Sequence, residues 1–70
     1  MQLAPGEDVG EHTTAEREEA IIVLRGRARL RLGRRCLNAR KGSFIYIPPR
    51  TAHNLANAGK GLLRYVYITG

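Results

Sequence analysis

Two imidazoles and one carboxylate give this chain its most specific chemical possibility. The chain has 2 histidines, His12 and His53, and Glu19 lies between them in sequence. Neutral imidazole nitrogen and carboxylate oxygen both hold a borderline divalent ion. Three protein ligands leave positions open for water, dioxygen or a substrate. Glu16 and Glu18 are competing carboxylates, and strand parity singles out Glu19, which shares a face with Ile21 and Val23.

The elements that must bring these residues together read as strands. No window carries the i, i+3, i+4, i+7 apolar pattern of a helix. Short apolar or alternating segments bounded by glycine or proline predict strands over 9–13, 20–24, 27–32, 35–38, 44–47, 52–56 and 62–68. Arg27, Arg29 and Arg31 alternate with Ala28, Leu30 and Leu32, and this basic row reads as a solvated face. The segments Ala20–Leu24 and Phe44–Ile47 are apolar throughout, which predicts strands buried on both faces. Leu63, Tyr65 and Tyr67 fall on one side of the last strand, and Tyr46, Tyr65 and Tyr67 read as cavity lining or core. Closely spaced short strands indicate an all-β sandwich or small barrel. If the sheet closes, its inner face brings His12, Glu19 and His53 to one place.

Composition narrows the setting. Seventy residues predict one domain, 1–70, marginal in its buried surface. The single cysteine, Cys36, forbids an internal disulfide, so metal and self-association are the expected supports. Cys36 itself reads as a small core or barrel-lining residue. No apolar run approaches the ~20 residues of a membrane span, and a cytoplasmic protein is expected. All 6 acids lie within residues 1–19, whereas residues 20–70 carry 11 basic residues and no acid. The net charge of +6 permits nucleic-acid binding. The basic row has no interleaved aromatics for base stacking, which argues against it.

The spacings resemble those of the cupins, small β-barrel proteins with two signature motifs. In the first, Gly6, His12, Glu19 and Gly26 stand at the family's spacing, with Thr14 where a second histidine is usual. In the second, Gly42, Pro48, His53 and Asn57 match, with Arg50 where glycine is usual. The motifs span residues 6–57. The resemblance implies a cupin-like double-stranded β-helix, or jelly-roll barrel. It implies a divalent transition metal (iron, manganese, nickel, zinc or copper) at His12, Glu19 and His53, with none assigned to Thr14. It implies that the Pro48-Pro49 turn carries His53 inward and that Asn57 closes the following loop. Arg50 reads as a turn variant of little chemical consequence. The chain lacks the extra terminal strands of larger cupins, so a homodimer is expected. The function is expected to be metal-assisted chemistry on a small oxygenated or anionic molecule, or else a non-catalytic ligand- or metal-binding or sensing module.

Overall fold

The computed structural model describes residues 1–70 as eight β-strands and no helix. They are β1 (Gln2–Leu3), β2 (His12–Thr13), β3 (Glu19–Arg25), β4 (Arg27–Leu32), β5 (Arg35–Arg40), β6 (Phe44–Ile47), β7 (Ala52–Asn57) and β8 (Leu63–Thr69). They form two antiparallel four-stranded sheets. The first has the order β1-β8-β3-β6 and the second the order β2-β7-β4-β5. No helix is long and apolar enough to cross a membrane.

Alternation along the strands builds the core. Ile21 and Val23 of β3, Ile45 and Ile47 of β6, and Leu63 and Tyr65 of β8 point inward from the first sheet. Ala28 and Leu30 of β4, Ala39 of β5 and Leu55 of β7 meet them from the second. Each fully buried large aliphatic side chain contributes about 1.5–3 kcal/mol. Gly26, which ends the first motif, joins β3 to β4 with φ of 90°. A Cβ there would lie 2.5 Å from the Leu62 carbonyl oxygen, so both conformation and space demand glycine.

The strand pattern was legible, with three corrections. β3 and β6 are not buried on both faces: Phe44 is 64% exposed, Tyr46 50% and Leu24 45%. Their outer face belongs to an apolar sheet surface that nothing in this chain covers. Cys36 is exposed rather than lining the core, because it sits opposite Arg31 on the outer face of the second sheet. The short β1 was not anticipated, since two residues carry no periodicity; its place comes from pairing with β8 at the other end of the sequence.

Candidate metal centre

One end of the sandwich gathers the three residues singled out above. β2 and β7 pair so that His12 stands directly opposite His53. Their ring centroids are 4.1 Å apart and the rings meet edge to face. Glu19 reaches them from the start of β3 on the facing sheet, with its Oε1 3.3 Å from His53 Nε2. The ligand atoms of His12, Glu19 and His53 all lie within 4.8 Å of one another. His53 is buried, Glu19 half-buried and His12 exposed, so the group sits at a mouth rather than in a sealed interior.

Backbone carbonyls orient both rings. His53 Nδ1 lies 3.0 Å from the Thr51 carbonyl oxygen. His12 Nδ1 lies 3.2 Å from the Gly10 carbonyl oxygen. A carbonyl oxygen only accepts, so each Nδ1 carries the proton and each Nε2 keeps a lone pair. Such a carbonyl behind a ring is the usual partner of a metal-binding histidine. The carboxylate is held in the same way, by the Tyr67 hydroxyl donating to Glu19 Oε2.

The remaining atoms are in conflict without a cation. Glu19 Oε1 and His53 Nε2 are both buried and neither has a hydrogen-bond partner. With the proton on Nδ1, two lone pairs face each other across 3.3 Å. A proton placed on Nε2 would resolve that contact alone. A divalent ion would resolve it and also use the third donor, His12. The donor set therefore fits a divalent metal, on two orphaned buried acceptors and a third within reach.

Thr14 has a different task from the histidine it replaces. It is buried, and its hydroxyl donates to the Pro48 carbonyl oxygen at 2.7 Å. Thr14 Oγ1 in turn accepts from Thr51 N at 2.8 Å. Thr14 thus ties β2 to the turn that delivers His53, and its hydroxyl proton is committed there. Arg50, in the same turn, has φ of 56°, a left-handed backbone in a residue with a Cβ. Its N–H lies 3.0 Å from both the Thr14 and Ala15 carbonyl oxygens, which hold it in place. The turn variant holds its residue in a strained backbone conformation.

The His12, Glu19 and His53 group opens on a cavity of about 170 Å³. Val9, Ile21, Leu55 and Tyr65 supply much of its wall, with His12 and His53 at its polar side. The Tyr67 hydroxyl is pushed up to about 12, by burial first and then by its bond to Glu19. Burial also raises Tyr65. Tyr46, read from sequence as cavity or core, is neither: it is exposed and donates to Glu18 Oε2 at 2.6 Å. The support that Tyr67 gives Glu19 was missed at the level of sequence. Parity had placed Tyr67 on the inner side, but only the pairing of β3 with β8 brings it to that carboxylate.

Comparison with known proteins agrees with this architecture. Residues 1–69 match the family described as Cupin domain. A Bacillus halodurans protein superposes with a TM-score of 0.95 at 25% identity, over 99% of this chain and 57% of that one. A Thermotoga maritima protein described as a predicted oxalate decarboxylase gives 0.93 at 20% identity, over 97% and 59%. A cupin domain from Schizosaccharomyces pombe gives 0.94 at 14%, over 99% and 50%. The chain thus spans between 50% and 59% of the length of these three structures. No curated protein matches it in sequence.

Proposed function

This chain belongs to the cupin domain family, and from that premise we propose that residues 1–70 act as one cupin domain holding a divalent transition metal at His12, Glu19 and His53. The observation that carries the reading is the pair of orphaned buried acceptors, Glu19 Oε1 and His53 Nε2, with His12 beside them. A bound ion of this kind supplies Lewis-acid polarisation of a ligand oxygen, or a dioxygen-binding centre. The protein's own residues do the rest. Thr51 and Gly10 carbonyls keep the imidazole lone pairs aimed inward, Tyr67 fixes the carboxylate, and the aliphatic walls exclude water from one side of the cavity. The substrate class that suits this site is a small molecule with an oxygen-bearing or anionic head and a short apolar body.

Metal analysis of untagged protein tests the reading. We expect close to one divalent ion per chain, lost in the His12→Ala, His53→Ala double variant. Unchanged metal content in that variant would remove the ligand assignment. A non-catalytic binding or sensing module is the second reading, favoured by the cavity wall, which offers no acid or base beyond the ligands and tyrosines. Dioxygen consumption or turnover across a panel of small acids and phenols supports the enzyme; silence with metal bound supports the module.

We also propose that a second copy of the chain covers the outer face of the first sheet, in the cytoplasm. Phe44, Tyr46, Val66 and Ile68 are exposed there, with Ala20 and Ile22 between them in register. Glu18 flanks one end of this face, and Arg25 with Arg64 the other. A two-fold axis with antiparallel β3 strands would set each acid against the partner's arginines. Light scattering is expected to give a dimer mass for the native chain and a monomer mass for Phe44→Glu. A monomeric native chain would sink the idea.

A further inference from the structure

The outer face of the β4–β5 hairpin carries a second concavity, far from the metal-ligand group in chemistry and larger in volume. It measures about 560 Å³ and is lined by Arg27, Arg29, Asn38, Arg40 and Ser43 among others. That volume falls in the ~300–1,000 Å³ range of small-molecule sites. Arg27 and Arg40 are direct cross-strand partners. Like charges placed opposite each other destabilise a ladder, so the fold tolerates a repulsion here.

Nothing in the chain neutralises these three guanidiniums. The arginine paired with a carboxylate is Arg31, which meets Glu11. The acid closest in register is Asp8, bridged to Ala56, which in turn stands opposite Arg29. Asp8 Oδ1 is engaged locally, accepting from Gly10 N at 2.8 Å. Ser43 Oγ accepts from Arg40 N at 3.1 Å and keeps its own proton to donate. Asn38 adds an amide between Arg29 and the groove rim.

We propose that this groove binds a small soluble molecule bearing a phosphate or diphosphate group. Guanidinium forks match the geometry of phosphate oxygens and make charge-assisted bonds to them. Three of them lining one groove suit an anion with more than one negative charge better than a single carboxylate. No aromatic side chain lines the groove, so a stacked nucleic-acid strand is the poorer occupant. The inference stands apart from the metal reading, since the groove lies on the outer face of the second sheet and uses none of its residues.

Calorimetric titration of the full chain with inorganic pyrophosphate is the test, run on native protein and on the His12→Ala, His53→Ala variant. Equal binding by both places the anion away from the metal-ligand group; loss in the double variant would overturn the proposal. Arg27→Gln and Arg40→Gln are each expected to weaken binding about tenfold. Arg29→Gln serves as a third variant should either misfold by circular dichroism. Arg34, in the turn between β4 and β5, and Arg17, in the loop before β3, are exposed and lie outside the groove lining, and they give the control. Arg34→Gln and Arg17→Gln should leave affinity within about twofold, and an equal loss there would reduce the effect to diffuse charge. Absence of binding at ~50 mM salt overturns it too, as does tighter binding of a single-stranded oligonucleotide weakened equally by Arg34→Gln.

Discussion

The two ends of this sandwich are closed by buried polar residues in opposite ways. At one end Asn57 is saturated: its amide donates to the Leu3 and Gly61 carbonyl oxygens at 2.9 and 2.8 Å, and its carbonyl accepts from Gly59 N at 2.8 Å. Those bonds knit β1, β7 and the loop before β8. At the other end Thr14 satisfies the turn, but Glu19 and His53 each keep an unpartnered atom aimed into the interior. A saturated network adds stability, whereas a half-satisfied one costs it unless a ligand completes it. The Asn57 end is thus saturated within the chain, and the His53 end holds the acceptors left for a ligand to complete.

The largest expected effect sharpens that division. Glu19→Gln replaces one acceptor with an amide able to donate to His53 Nε2, while its other oxygen still accepts from Tyr67. Metal affinity should fall by about 100-fold or more, as expected for loss of a charged ligand. The metal-free variant should at the same time be more stable than the metal-free native chain, by about 1 kcal/mol. Denaturation in chelator, paired with metal titration, reads both. A Glu19→Gln protein that loses stability as well as metal would mean that the site end carries structural weight after all.

Asn57→Leu probes the opposite end. It removes the one amide that donates to both the Leu3 and Gly61 carbonyl oxygens and leaves the Gly59 N–H without its acceptor, at an expected cost of about 2–4 kcal/mol. For a small domain with a total stability of about 5–15 kcal/mol this is a large fraction. Metal stoichiometry of the fraction that remains folded should not change. Loss of metal without loss of stability would erase the distinction between the two ends.

Much of this contrast was written in the sequence, and the reasons are physical. Alternation fixed which of Glu18 and Glu19 faces inward, because a one-residue shift flips every side chain of a strand. Pro48-Pro49 announced the end of β6 and the rigid turn before His53. Gly26 was legible as a motif position, and the structure gives its cause in the Leu62 carbonyl. The outer face of β3 and β6 was misread because an apolar run looks the same whether a second layer of this chain or another copy covers it. Thr14 was readable only as an absence of histidine; its bonds to Pro48 and Thr51 join residues 34 and 37 positions away. Tyr67 likewise acquires its role from a partner 48 residues distant.

The smallest effect concerns the turn at the binding end. Arg50 holds φ of 56° where no side chain is comfortable, at a cost of roughly 1–2 kcal/mol relative to a residue without a Cβ. Glycine would relieve the strain but add freedom to the unfolded chain, offsetting part of the gain. Arg50→Gly should therefore stabilise the protein by about 0.5–1 kcal/mol, read as a higher denaturation midpoint with an unchanged slope. The two bonds from its N–H to Thr14 and Ala15 belong to the backbone and survive the substitution. His53 should consequently keep its place, and metal affinity should stay within about twofold of native. A stabilised variant that binds metal poorly would show instead that the strained turn sets the position of the histidine, moving part of the conformational cost to the end where the ligand is held.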